Sequence, residues 1–261
     1  MCGDTAGLRA RFGRPELQVP ETHPFVDRRR LANYRVGMAR VFDLLCAGIG
    51  LLLLTPLFCV LAAAIKLEDG GPIFYKQARV GQGFRLFHML KFRSMVVGAD
   101  RGSLLTAPHD GRLTRIGRYL REHKLDELPQ LFNVLKGDMQ LVGARPEVER
   151  YVEVFRQEYS TILQHRPGIT DSASLAYRRE DQILSPDRME EQYVTEILPE
   201  KLALSLAYQQ RRTFFSDVRI LLRTILGGNI PDAHNRSSDR AFHRKLDLDE
   251  IHGISRDHKS C

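Results

Sequence analysis

VFDLLCAGIGLLLLTPLFCVLAAAI, residues 41–65, is one long apolar run interrupted near its middle by Thr55-Pro56. From Leu44 to Ile65 it carries no charge. About 20 such residues suffice to cross the hydrocarbon core of a bilayer. Both flanks are basic, with Arg28, Arg29, Arg30, Arg35 and Arg40 before the run and Lys66, Lys76 and Arg79 after it. Positive charge beside a membrane segment favours the cytoplasmic side. A straight crossing satisfies one flank. A helix that enters, turns and leaves by the same face satisfies both. Pro56 offers a means of turning, because it has no N–H and its ring clashes with the carbonyl of Leu52. A freed carbonyl in lipid is costly unless something local satisfies it. The Thr55 hydroxyl can bond back to the preceding turn and bend it further. A spanning helix with a proline kink explains the same residues, so run and flanks alone leave both topologies open.

The chain has 261 residues and a formal net charge of +7, enough for one compact domain besides the apolar segment and two tails. Its mean hydropathy is slightly negative, which excludes a multi-span protein. The positive charge suits an anionic membrane surface or anionic ligands. A peripheral nucleic-acid binder is a third reading, but no zinc-finger spacing or RNP-like motif is present and the uncharged run disfavours it. Cys2, Cys46, Cys59 and Cys261 show no metal-ligand or disulfide-framework spacing, which fits a reducing compartment. The apolar run starts too late and is too long for a cleaved signal peptide.

Outside the run, Ile73-Phe74-Tyr75 and Phe84–Phe92 flank Gly81-Gln82-Gly83 and read as a short β-hairpin. Residues 113–123 and 126–136 read as helices, 139–142 as a strand, 147–165 as a helix, and 188–226 as mostly helical. In the last region Phe215, Val218, Leu222, Ile225 and Leu226 lie at helical spacing, with Arg212, Arg219 and Arg223 off that stripe. Such a helix can lie on a membrane surface or face a core with a solvated basic side.

The densest polar cluster runs from Arg118 to Pro129. Asp126 stands where a helix N-cap belongs, and acids suit a helix N-terminus, so Asp126 and Glu127 have a purely structural reading. Against it, Arg112, Arg115, Arg118, Arg121 and Lys124 crowd the same segment. That density, beside free helix N–H groups, makes a phosphate site. A carboxylate held there can attack phosphorus and form an acyl phosphate. Its neighbour can hold Mg²⁺, which usually takes one or two carboxylates plus phosphate oxygens. His88, His109 and His123 are not at metal-ligand spacing, and Gly81 and Gly83 are hairpin glycines rather than a dinucleotide fingerprint.

RVFDLLCAGIGLLLLTP (40–56), IKLEDGGPIFYKQARVG (65–81), FHMLKFRSM (87–95), RLTRIGRYLR (112–121), LDELPQLFNVLKGDMQLVGARPE (125–147) and RPGIT (166–170) together resemble the bacterial sugar transferases of the monotopic phosphoglycosyl transferase superfamily. The resemblance implies transfer of a sugar 1-phosphate from a UDP-sugar to polyprenyl (undecaprenyl) phosphate, giving polyprenyl diphosphosugar and UMP and starting a surface glycan. It implies a ping-pong mechanism in which Asp126 attacks the β-phosphate, while Glu127 helps bind Mg²⁺ and handle charge. Arg121 matches a phosphate-binding arginine, and Arg145 matches the arginine of the family's GPRP turn. Lys91, Arg93 and Arg118 are further candidate substrate cations, and Asp138 supports the Gly-Asp turn or the metal. The family's re-entrant helix favours a break at Thr55 and Pro56. Membrane lipids are implied as partners, nucleic acid is not, and downstream glycosyltransferases follow from the product. The site belongs on the cytoplasmic face of the bacterial inner membrane. A non-catalytic scaffold of a glycan assembly complex is the alternative; the intact Asp126-Glu127 pair with Arg121 and Arg145 argues against it.

Three departures stand out. The GPRP turn is GARP here, through Ala144. Lys124 replaces a small hydroxyl residue before LDELP. DSASLAYRRE follows RPGIT where a glycine- and valine-containing strand is usual, in a region that bears on sugar choice. No group of spanning helices precedes the domain, as in the short form of the family. The expected architecture is α/β: a small mixed cytosolic domain with a β-hairpin and several helices, anchored by an N-terminal re-entrant helix and amphipathic interfacial helices. The segments are a polar tail (1–35), the membrane helix (36–66), a catalytic domain (67–228) and a charged tail (229–261).

Overall fold

The computed structural model describes residues 38–99, 105, 106, 110–178 and 180–227. Both expected tails lie outside these residues. The apolar run forms one helix, α1 (Met38–Asp69), reaching past the expected end at 66. Pro56 sits inside α1 with helical residues on both sides, so the expected break is a defect within one helix rather than a gap between two. The Thr55 hydroxyl donates to the Leu51 carbonyl at 2.8 Å, the back-bond that its type favours.

One side of α1 packs against the rest of the protein through Ala47, Leu61 and Ile65, all buried. The other side is bare: Leu52 and Leu53, at its middle, are 74% and 72% exposed. Both ends are tied to the same body. At the start, Arg40 Nη2 donates to Val134 O at 2.8 Å and Asp43 Oδ1 accepts from Leu141 N at 3.3 Å. At the end, Glu68 accepts from Arg115 N at 2.7 Å, and Asp69 holds the Arg93 guanidinium in a two-pronged ion pair.

The expected hairpin is present. Strands β1 (Phe74–Val80) and β2 (Leu86–Phe92) pair antiparallel from Phe74↔Phe92 to Val80↔Leu86. They join through a 3-10 turn in which Gly83 takes φ +63°, a value that glycine adopts at little cost. Helix α2 (Arg115–Glu122) begins at Thr114, whose side chain accepts from Gly117 N. A 3-10 turn, Leu125–Glu127, precedes α3 (Gln130–Lys136), which Gly137 ends in left-handed conformation. Strand β3 (Gln140–Val142) pairs in parallel with β4 (Gly168–Thr170), and α4 (Glu149–Val154) and α5 (Arg156–Ile162) cross over between them. The single helix expected over 147–165 is thus two, because the fully buried Phe155 leaves helical backbone between them. After α6 (Ser172–Ala176) come short turns and a π-helical stretch, Tyr193–Ile197. Then follow α7 (Leu198–Arg211) and α8 (Phe214–Ile225).

Among the described residues three apolar clusters hold the body together. The first half of α1 joins Phe87, Met89, Val134, Leu141 and Ile220. Its second half joins Phe92 and Leu120. The third cluster gathers α4, α5 and the C-terminal helices around Phe155 and Val194. The apolar helix is therefore part of two cores, not an appendage.

Helix α8 turns its apolar stripe outward: Phe215, Leu222, Ile225 and Leu226 are exposed, while Ile220 and Asp217 are buried. Arg212 is not a free surface cation, since it is buried against Asp217 at 2.7 Å. Phe42 meets Phe214 edge-on at 5.2 Å, so α8 starts beside the start of α1.

Gly117 lets α2 press against the backbone of Ser94: a Cβ there would lie 1.9 Å from the Ser94 carbonyl oxygen. Gly117→Ala should therefore cost about 3 kcal/mol or more, a fall of roughly 6–12 °C in Tm. Thermal unfolding in detergent measures this, and an unchanged Tm would show that α2 and Ser94 are not in forced contact.

Candidate active site

The site forms where four separate segments meet. β2 brings Lys91 near its end, α2 brings Arg121, the 3-10 turn brings Asp126 and Glu127, and the loop after β3 brings Arg145. The last placement has a clear local cause. Gly143 N donates to Thr170 O and Gly168 N to Ala144 O, both at 2.9 Å. A Cβ on Gly168 would fall 2.1 Å from Gly143 N. The GARP and RPGIT motifs thus meet backbone to backbone, and Arg145 leaves the junction towards the acidic pair. Ala144 is buried here without disturbing this pairing.

Glu127 is the hub. Arg145 grips it with both Nη atoms, Nη1 reaching Oε2 at 2.9 Å. Lys91 Nζ stands 3.5 Å from Oε1. Arg145 Nη1 also donates to Ile169 O at 3.3 Å. Burial alone would raise the Glu127 pKa, but Arg145 and then Lys91 outweigh it and hold the carboxyl well below its usual range. Burial pushes Lys91 down to about 8, against the pull of Glu127.

Asp126 differs from its neighbour. It is 4% exposed, and its Oδ1 is buried with no hydrogen-bond partner. Burial, then the charge of Glu127, raises its pKa, while Lys91, Arg121 and Lys124 oppose the rise. The N-cap expectation is corrected: α3 starts after Pro129 with no side-chain cap, and Asp126 lies earlier, in the 3-10 turn. An unpaired buried polar group costs about 1–3 kcal/mol, so Asp126 is a poor structural element. Lys124, just before the pair, takes φ +57°. That left-handed backbone is uncommon for a long side chain and tends to occur at functional sites.

Arg121 is aimed by two hydroxyls: its Nε donates to Ser94 Oγ at 3.1 Å and its Nη1 to Thr106 Oγ1 at 2.6 Å. Arg93 is a correction. Its Nη atoms are taken by Asp69 and its Nε donates to Pro72 O at 2.6 Å, so it fastens α1 to the hairpin instead of serving the acidic pair. Arg118 is exposed on α2, outside this cluster of contacts. Asp138 accepts from Asn133 at 3.4 Å and pairs with Lys136 at 3.2 Å, which makes it a turn residue.

Sequence reasoning missed several supporting residues. Ser94 and Gln130 were in quoted motifs without a role, and Thr106 gave no signal. Glu147 clamps the GARP turn to β1: it pairs with Arg79 at 2.5 Å, accepts from Tyr193 at 2.5 Å, and its carbonyl takes Val80 N. Glu180, held by Lys201 at 2.7 Å, adds negative field at Arg145. All these pairings join positions far apart in the chain.

For a magnesium ion the donor set fits in part. Among the described residues no three His, Cys, Asp or Glu side chains converge. Glu127 gives both oxygens to Arg145 here, and beside Asp126 it completes the carboxylate pair expected at the metal. Asp126 retains an unpaired oxygen. One carboxylate plus substrate phosphate oxygens matches the habit of Mg²⁺.

Comparison with known proteins agrees with this geometry. Residues 34–228 match the family model described as bacterial sugar transferase. The chain is 36% identical over 190 residues to the UDP-glucose:undecaprenyl-phosphate glucose-1-phosphate transferase of Caulobacter vibrioides, covering 71% of this chain and 67% of that one. It is 34% identical over 206 residues to the exopolysaccharide production protein ExoY of Rhizobium meliloti, covering 72% and 84%. It is 34% identical over 223 residues to the undecaprenyl-phosphate glucose phosphotransferase of Komagataeibacter xylinus, covering 82% of this chain but 39% of that longer protein. With the matched region taking in α1, the hairpin, the acidic pair and the arginine that grips it, the chain belongs to the bacterial sugar transferase family.

Proposed function

We propose that this enzyme moves a sugar 1-phosphate from a UDP-sugar to undecaprenyl phosphate, at the cytoplasmic face of the inner membrane, through an aspartyl-phosphosugar intermediate on Asp126. The observation that carries this reading is a buried carboxylate with an unpaired oxygen, standing in the field of Lys91, Arg121 and Lys124. These cations suit a diphosphate and the charge that develops on it. One Asp126 oxygen attacks the β-phosphorus, the bond to UMP breaks, and UMP leaves with the electron pair. An oxygen of undecaprenyl phosphate then attacks the same phosphorus and releases Asp126. One diphosphate bond is lost and one made, so catalysis reduces largely to positioning and charge stabilisation. Glu127 keeps Arg145 and Lys91 in place. Asp126 and Glu127 are the carboxylates that would hold Mg²⁺, which when bound would supply charge neutralisation at the diphosphate.

The anchor supports the same reading. Both ends of α1 are bonded to one water-facing body, which favours a helix that enters and leaves by one face over a straight crossing. The bare side of α1 and the outward stripe of α8 would then lie in one leaflet, at the height where a lipid carrier presents its phosphate. The names of the relatives support undecaprenyl phosphate as acceptor and exopolysaccharide assembly as the setting.

Asp126→Asn should abolish UMP release from UDP-sugar and undecaprenyl phosphate with Mg²⁺ present, while the protein still enters membranes. Full turnover in that variant would remove Asp126 as nucleophile. Arg145→Lys keeps the charge but loses the two-pronged grip, and should lower kcat/KM at least about tenfold, close to 1.4 kcal/mol. Steady-state kinetics over a panel of UDP-sugars measures this and identifies the donor. For topology, Ala39→Cys and Lys76→Cys in a chain with its native cysteines replaced should both resist an impermeant maleimide applied outside intact cells. Labelling of one position alone would mean a full crossing.

A further inference from the structure

Gln130 is fully buried, and both heteroatoms of its carboxamide lack partners. Among the described residues no other buried side chain has two polar atoms without a partner. It follows Asp126 by four residues. The chain between them turns right-handed, 3-10 through Glu127 and helical at Leu128 and Pro129, and both side chains are buried, so the two stand little more than one turn apart on the inner side of this segment. The two lacks are complementary: Asp126 Oδ1 needs a donor, and Gln130 Nε2 has a proton and no acceptor. Asn133, next on the same buried side, is a useful contrast. Its Oδ1 accepts from Leu90 N at 2.9 Å and its Nδ2 donates to His88 O at 2.8 Å. The fold uses one amide on this face to tie α3 to β2 and obtains no bond from the other. An apolar side chain of like volume at 130 would fill the space and lose nothing. A buried polar group without structural return calls for a functional explanation.

Taking Asp126 as the nucleophile, as above, we propose that Gln130 is its positioning residue: in the loaded site Nε2–H donates to Oδ1, the oxygen that does not attack. When the other oxygen bonds to phosphorus and UMP departs with the electron pair, Oδ1 becomes the carbonyl oxygen of the acyl phosphate. When the acceptor phosphate attacks, the electron pair of the breaking O–P bond returns to the carboxylate and spreads onto Oδ1. A fixed donor there aims the attacking oxygen in the first half and stabilises the returning charge in the second.

Gln130→Met removes the amide and keeps the volume, and it is to be assayed beside Asp126→Asn in the same membrane preparation. The expected result is an unchanged or higher Tm, a kcat for UMP release at least tenfold lower, and a donor KM within twofold of the parent. Gln130→Leu should behave alike, which guards against a packing artefact of one side chain. A Tm lowered by several degrees in both variants, with activity lost in proportion, would make Gln130 structural and overturn the proposal. So would a parental kcat, or a raised KM with kcat intact. An active Asp126→Asn would defeat the nucleophile and this inference together. An inactive Asp126→Asn beside a fully active Gln130→Met would defeat this inference alone.

Discussion

Glu127 takes both prongs of Arg145 and faces Lys91, so one carboxylate joins the hairpin, the acidic turn and the loop after β3. A half-buried ion pair of this kind contributes little net stability, because desolvating the charges offsets their attraction. Its value here is electrostatic order. Two adjacent carboxylates, one buried and one half-buried, resist ionising together. With Glu127 neutralised by two cations, the repulsion on Asp126 is reduced, and the remaining positive field can act on the second carboxylate and on an anionic substrate. Strip the grip away and the site would hold five loosely related charges on four separate segments.

The same body also carries the apolar helix. Among the described residues α1 fills space in two apolar cores, so protein covers one side of it and leaves the other bare. Arg93 belongs to this task. Its ion pair with Asp69 and its bond to Pro72 fasten the helix end to the hairpin that carries Lys91, which couples the placement of α1 to the geometry of the site. The outward stripe of α8 beside the start of α1 extends the apolar surface.

Local pattern carried far into this structure. The hairpin, the helices around 115–122 and 130–136, the parallel strand before Gly143 and the anchor all follow from apolar spacing, turn residues and Gly or Pro punctuation. Lys91, Arg121 and Arg145 came from motifs, and the fold brings Lys91 and Arg145 onto Glu127 and Arg121 into the field at Asp126. Arg93 shares the FHMLKFRSM motif with Lys91, and the motif alone does not separate their roles. Its partner, Asp69, lies 24 positions earlier, beyond any local reading. Asp126 misled as a cap because the turn after it is 3-10 before it becomes α-helical.

Residue type and spacing by themselves determined that an uncharged helix of membrane length precedes a basic domain, and that carboxylates and cations concentrate around residues 118–129. These are local quantities, readable from neighbours in the chain. Only the tertiary structure decided which cation meets which acid, that Glu127 is bonded while Asp126 Oδ1 and Gln130 are not, and that both ends of α1 rest on one body. Those facts depend on side chains dozens of residues apart sharing a desolvated space, where an unmet hydrogen bond is costly and each partner is chosen by the fold.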